Sequence, residues 1–299
     1  MSSPVQPLDP AQPPQPVIAA AVSMALAEDL GADGDITAAL VPAEARAHFA
    51  LVAREPGVLA GRGCAEETFR QLDPSLKVAW HFDDGDHLAT GDVVMEVTGA
   101  LRPILTAERT ALNFLGHLSG IASLTARFVE AARATNPSVL VLDTRKTTPG
   151  LRALEKAAVR AGGGTSHRAG LSEAVLVKDN HLAGVTVTEA VERARSLWPG
   201  RMVEIECDAL DQVAEAARAG ADAVLLDNME PEAVAQAIGV AHDAATGVIL
   251  TEVSGGVTLD SIGAYAAAGP DRISVGALTH SATVLDLGLD LWWRSAEGD

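Results

Sequence analysis

Lysine occurs four times in this chain of 299 residues, at Lys77, Lys146, Lys156 and Lys178. Three of the four lie between Lys146 and Lys178, in company with Arg145, Arg152, Arg160 and Arg168, although the chain as a whole has a formal net charge of −18. A basic window in so acidic a chain points to a local task, and the chemistry on offer is the holding of an anion. Arginine gives carboxylates and phosphates planar two-point contacts, and lysine gives them a compact charge. Arg145, Lys146, Arg168 and Lys178 are therefore candidate clamps for a polyanion. Glu206 and Asp227 end two later apolar runs, "MVEIE" and "AVLLD". Such a pair suits a divalent cation with oxygen ligands, typically Mg²⁺ shared with phosphate and water, and it equally suits general acid/base work. "SGG" at Ser254, Gly255 and Gly256, and "SVG" ending at Gly276, have the make-up of a phosphate cradle,. Plain glycine turns have the same make-up for steric reasons.

These residues share a position: each follows a short apolar run. "VLVLDT", "AVLVKD", "MVEIEC", "AVLLDN", "GVILTEVSGG" and "RISVGA" read as strands, and amphipathic stretches such as "TVTEAVERARSLW" and "LDQVAEAARAG" alternate with them. Near-continuous apolar strands with helical crossovers imply parallel pairing. Six in a row, without a dinucleotide-type glycine fingerprint, favour an incomplete TIM-like β/α barrel of six or seven strands over an open sheet. In such a barrel the loops after the strands line one mouth. Asp143, Arg145, Lys146, Lys178, Glu206, Asp227, Glu252 and the 254–256 turn would then converge, whereas charges that merely meet water would be scattered. "GGGTSHR" (162–168) reads either as a helix cap with its loop or as backbone approaching a ligand, and its His167 either as a structural hydrogen-bonder or as part of a site,.

The first half reads as an α/β sandwich domain over 17–117, which 283–299 can join, with the barrel over 118–282. A long amphipathic helix runs from Ile104 to about Arg133, with a break expected near Ser119 and Gly120 because glycine is costly inside a helix,. Residues 1–16, with six prolines, read as a disordered tail,. The acidic surface argues against nucleic acid and anionic membrane as partners. The absence of a signal peptide and of an 18-residue apolar run, with Cys64 and Cys207 far apart and outside any metal spacing, reads as a cytoplasmic protein with reduced thiols,.

"DTRKTTPGLRALEKAAVRAGGGTSHRAGL" followed by "VLVKDNH" resembles the core signature of the quinolinate phosphoribosyltransferases, the carboxylating nicotinate-nucleotide pyrophosphorylases. "GDIT", "AERTALNFLGHLSGIAS", "VEIECD", "LLDNM", "EVSGG" and "ISVGALTHS" resemble the family's other motifs, in order, from about Val17 to the C-terminus. The resemblance implies transfer of a phosphoribosyl group from phosphoribosyl pyrophosphate (PRPP) to quinolinate, with decarboxylation, in NAD biosynthesis. By matching motif it implies that Arg109, Arg145, His167, Arg168 and Lys178 hold quinolinate. Lys146 would lie between the substrates, Glu206 and Asp227 would face the ribose hydroxyls and Mg²⁺-pyrophosphate, and Ser254, Gly255 and Gly276 would take the 5′-phosphate. It further implies a homodimer in which Arg109 serves the partner's site. Ala157, where the family usually has Tyr, Glu173, where Asp is common, and Ser123, where Thr is common, depart from the pattern. A relative using another acceptor such as nicotinate is the second reading, and one carboxylate would need fewer cations. A non-catalytic anion-binding paralogue is the third.

Overall fold

The computed structural model describes residues 12–292. The expected tail (1–16) lies outside the described residues as far as residue 11. Its last residues are already helical: α1 (Gln15–Leu30) starts with Pro16 in its first turn, where the missing N–H removes no helical bond,. The chain forms two compact units. One comprises, of the described residues, 12–124, 148–163 and 282–292, and the other 125–147 and 164–281.

The first unit contains β1 (Arg46–Ala53), β2 (Gly57–Val58), α2 (Arg62–Leu72), β3 (Lys77–Trp80), β4 (His87–Leu88) and β5 (Val93–Ala100). It also takes the start of α3 (Leu101–Arg133) and, late in the chain, β12 (Leu287–Leu291). Its main sheet is antiparallel in the order β12–β1–β5–β3. Alternate residues Phe49, Leu51 and Ala53 of β1 and Met95 and Val97 of β5 point into one core. Ile104, Ala107, Ala111 and Leu115 of α3 join them at helical spacing, together with Phe69 of α2,. The helix α4 (Arg152–Ala161) groups with this unit, whereas the division at 117/118 put it in the barrel. Its Leu154, Ala157 and Ala158 line a small cavity with Ile18, Ala60, Cys64 and Leu118. Cys64 and Cys207 are buried free thiols, both pushed up to about 12 by burial.

α3 runs without the break expected at Ser119 and Gly120. The glycine there serves packing. Gly116 O accepts a hydrogen bond from Leu285 N at 3.0 Å. A Cβ on Gly120 would collide with the carbonyl of Thr283. The bare helix face admits a crossing backbone, and that contact outweighs glycine's poor helix propensity of about 1 kcal/mol.

The second unit is the barrel. Its strands are β6 (Leu140–Leu142), β7 (Val175–Val177), β8 (Val203–Cys207), β9 (Ala223–Asp227), β10 (Leu250–Ser254) and β11 (Arg272–Ser274). They pair in parallel in the order β6–β11–β10–β9–β8–β7. The other edge of β6 meets the chain at a single parallel bridge, Leu142 to Thr165, so the ring is incomplete. The helices α5 (Val187–Leu197), α6 (Leu210–Arg218), α7 (Pro231–Ala244) and α8 (Ile262–Ala267) are the crossovers, and α9 (Ala277–His280) follows β11. Thr186 opens α5 with a capping box, accepting from Glu189 N at 3.1 Å while Glu189 accepts from Thr186 N at 2.9 Å,. The six runs read as strands from sequence are these six.

Candidate active site

Strand alternation builds the site. Val203, Ile205 and Cys207 of β8 are buried apolar positions, which puts Glu204 and Glu206 together on the other face,. The same step of two places Leu225 and Asp227 on β9, Glu252 and Ser254 on β10, and Leu176 and Lys178 at the end of β7. Ladder register aligns them: Leu176 is opposite Glu204, Glu206 opposite Leu225, Leu225 opposite Glu252, and Asp227 opposite Ser254. A cavity of about 530 Å³ opens there, lined by Arg145, Lys146, His167, Arg168, Lys178, Glu206, Asp227, Ser254, Gly255 and Gly256. Ten of the twelve sequence candidates thus share one chamber.

The loop after β6 holds its cations by local bonds. Lys146 N donates to Thr144 Oγ1 at 3.0 Å, and Lys146 O accepts from Thr279 Oγ1 at 2.7 Å. Arg168 Nη1 donates to Ala174 O at 2.9 Å. Burial holds the Arg168 guanidinium below its ordinary value, and the like charge of Arg145 adds to that while Glu204 opposes it. Opposite these cations, the Lys178 ammonium pairs with Glu206. Asp227 Oδ2 accepts from Asn228 Nδ2 at 2.6 Å.

The 254–256 turn has a steric cause. Gly255 has φ +97°, and a Cβ on it would strike the side chain of Asn228, whose own φ is +55°,. Gly276 and Arg109 are the two candidates outside the lining. Gly276 caps α9, and a Cβ on it would meet Lys146 Cδ at 3.2 Å and His280 Nε2 at 3.1 Å. Arg109 is exposed on α3, in the other compact unit. The triple glycine follows the cap reading: Gly162 N and Gly163 N bond back to Ala158 O and Arg160 O, and none of the three lines the cavity.

Sequence reasoning passed over Thr144, Leu176, Leu225, Asn228 and Ser274, which also line the chamber. It also passed over Glu204. His167 Nε2 lies 3.1 Å from Glu204 Oε2 and 3.4 Å from Glu252 Oε1, both buried. Burial and the charge of Glu204 push the Glu252 carboxyl up to about 7, against His167, Ser274 and Arg272, which favour ionisation,. The signal for Glu204 was present: an acid two residues before Glu206 in a strand must share its face.

A charged chamber at the carboxyl ends of parallel strands places the chain in a class, the β/α-barrel enzymes, whose active sites lie at that face. The family models of the quinolinate phosphoribosyl transferase N-terminal and C-terminal domains match residues 35–119 and 121–290. The nicotinate-nucleotide pyrophosphorylase [carboxylating] of Mycobacterium leprae (strain TN) is 43% identical over 276 residues, covering 90% of this chain and 95% of its own. The Homo sapiens protein of that name is 42% identical over 287 residues, 93% of each. The solved nicotinate-nucleotide pyrophosphorylase of Francisella tularensis superposes with a TM-score of 0.88 at 38% identity, over 93% of this chain and 97% of that one. The chain belongs to the quinolinate phosphoribosyl transferase family.

Proposed function

We propose that this protein transfers the phosphoribosyl group of PRPP to the ring nitrogen of quinolinate and releases pyrophosphate, carbon dioxide and nicotinate mononucleotide, a step of NAD biosynthesis. One observation carries the reading beyond family membership. A chain of net charge −18 gathers four cations, Arg145, Lys146, Arg168 and Lys178, in one chamber opposite Glu206 and Asp227. Quinolinate is a dianion and PRPP is more highly charged, so an acidic molecule needs such a chamber to hold either.

In this reading Arg145, Arg168 and Lys178 hold quinolinate with its nitrogen toward the ribose, His167 lines the site with its ring nitrogens bonded to the protein, and Lys146 lies between the substrates. Ser254, Gly255, Gly256 and Gly276 receive the 5′-phosphate through backbone N–H groups and close approach. The nitrogen forms a bond to the ribose carbon as the bond to pyrophosphate breaks. The positive charge on the now quaternary ring nitrogen stabilises the electron pair left on the neighbouring ring carbon when its carboxylate departs as carbon dioxide, and that carbon then takes a proton from solvent. Protein work is positioning and electrostatics, with no covalent nucleophile.

Glu206 and Asp227 suit Mg²⁺ by donor chemistry: both are carboxylates at neighbouring strand ends, and the ion retains waters and substrate phosphates as its other ligands,. When bound it would neutralise charge on the departing pyrophosphate. Arg109, exposed and outside the lining, is accounted for if a second copy of the chain supplies it, which makes the enzyme a homodimer. No helix of the described residues is long and apolar enough to cross a membrane, and we place the enzyme in the cytoplasm. The deciding experiment is incubation with quinolinate, PRPP and Mg²⁺, following carbon dioxide and nicotinate mononucleotide, with nicotinate as competitor. Turnover of nicotinate in preference to quinolinate would reject the acceptor. Arg109→Ala and Lys178→Ala proteins, each inactive, should regain activity when mixed; verified mixed dimers without recovery would reject the shared site.

A further inference from the structure

His167 and Arg168 sit where the barrel's ladder is thinnest. Their segment meets the sheet through the bridge between Leu142 and Thr165, with Thr165 N to Val141 O at 2.8 Å, and no ladder joins it to β7 among the described residues. Carboxylates hold it instead. Asp143 Oδ1 accepts from His167 N at 2.9 Å. Glu204 and Glu252 reach His167 Nε2 from two strands, β8 and β10, that are separated by β9. The other ring nitrogen, Nδ1, accepts from Arg168 N at 2.8 Å, so Nε2 is the one that bears hydrogen,. Glu252 is itself fixed by the Ser274 hydroxyl, with Arg272 Nη1 at 3.9 Å. Glu204 Oε1 and Glu252 Oε2 are buried without a hydrogen-bond partner. Two carboxylates so placed are a poor way to stabilise a barrel wall, since apolar residues of similar volume do better. Their return must lie in what they hold.

We propose that Glu204 and Glu252 are positioning residues for acceptor binding: they lock the His167 ring and, through its bond to the Arg168 backbone, set the direction in which Arg168 meets the anionic ligand. The proposal rests on the reading that Arg168 binds quinolinate. It replaces missing sheet pairing with a buried side-chain staple, and it explains why a cation of the site is seated next to a histidine whose two nitrogens are both committed to the protein.

The test is steady-state kinetics with each substrate varied, together with ¹⁵N NMR of the His167 imidazole, on wild type, Glu252→Ala, Glu252→Gln and Arg168→Ala. Glu252→Ala should raise the KM for quinolinate about tenfold or more, with kcat and the KM for PRPP within about threefold. Glu252→Gln keeps an acceptor for Nε2–H and should recover most of the loss. The Nε2–H tautomer should persist in both Glu252 variants, because Arg168 N still donates to Nδ1 and Glu204 still accepts from Nε2, while the Nε2 shift should move in Glu252→Ala and return in Glu252→Gln. An unchanged quinolinate KM in folded Glu252→Ala, while Arg168→Ala raises it, overturns the staple alone. If neither variant moves it, the site assignment falls and the staple with it. Should Glu252→Ala not fold, Ser274→Ala must still raise the quinolinate KM by about threefold, and no change there overturns the idea. One equivalent of tightly bound metal in the purified protein also overturns it, since His167, Glu204 and Glu252 would then be ligands.

Discussion

Glu96 and Glu252 both face histidine, and their carboxyls move in opposite directions. Glu96 lies on the solvent side of the antiparallel sheet, 2.5 Å from His48 Nε2 and 3.1 Å from His81 Nε2, and those bonds, His81's first, hold it below its ordinary value. Glu252 lies inside the barrel with one histidine and a second carboxylate, and burial sends it up to about 7. Water access and the count of like charges decide the sign. The sheet spreads its ion pairs over a wetted face, as Arg54 and Asp290 do at 2.7 Å with each about half exposed. The barrel concentrates like charges where a ligand can balance them.

The contrast can be broken at the barrel mouth first. Asp227→Asn should lower kcat by about 100-fold or more while quinolinate affinity stays within about threefold. Calorimetry showing quinolinate affinity lost instead would place Asp227 in the acceptor site. Lys178→Ala should weaken quinolinate binding about tenfold or more with the fold intact by circular dichroism, and an unchanged affinity would remove Lys178 from the clamp.

The opposite shifts give opposite pH signatures. Glu252, raised from an ordinary 4.5 to about 7, contributes stability that is fully present below about 4.5 and is lost as pH rises through about 7,. Glu96, lowered, contributes stability present above the ordinary carboxylate value and lost as pH falls through its depressed one,. Denaturation midpoints against pH should therefore change slope in opposite senses in Glu252→Gln and Glu96→Gln. Parallel curves would show that the two environments are alike. The smallest effect belongs to Arg54→Ala, which should shift Tm by no more than about 3 °C and leave kinetics untouched. A larger loss would show that the sheet's exposed pairs are structural after all.

The strands of the barrel were legible because each is a short run of Val, Leu and Ile ending in a charge or glycine, and such runs carry their own boundaries. The mouth was legible for the same reason: Lys178, Glu206, Asp227 and Ser254 stand at those boundaries. Gly120 was misread because propensity knows nothing of a neighbouring backbone; only the contact with 283–285 reveals why the helix continues. Glu204 was missed because an acid inside a strand looks like a solvent-facing position until a barrel turns that face inward. The grouping of 148–163 with the antiparallel unit escaped as well, since alternation of strand and helix does not say which layer a helix joins.

The crossing of α3 by residues 283–285, and the pairing of β12 with β1 beyond it, bear on how the chain is born. The antiparallel unit lacks its edge strand and the backbone over Gly116 and Gly120 until residues 283–291 emerge from the ribosome. The barrel, encoded between, is complete before then. The antiparallel unit, begun before the barrel, is thus finished after it, and a nascent chain stalled short of residue 283 leaves β1 unpaired on one edge for chaperones to guard,.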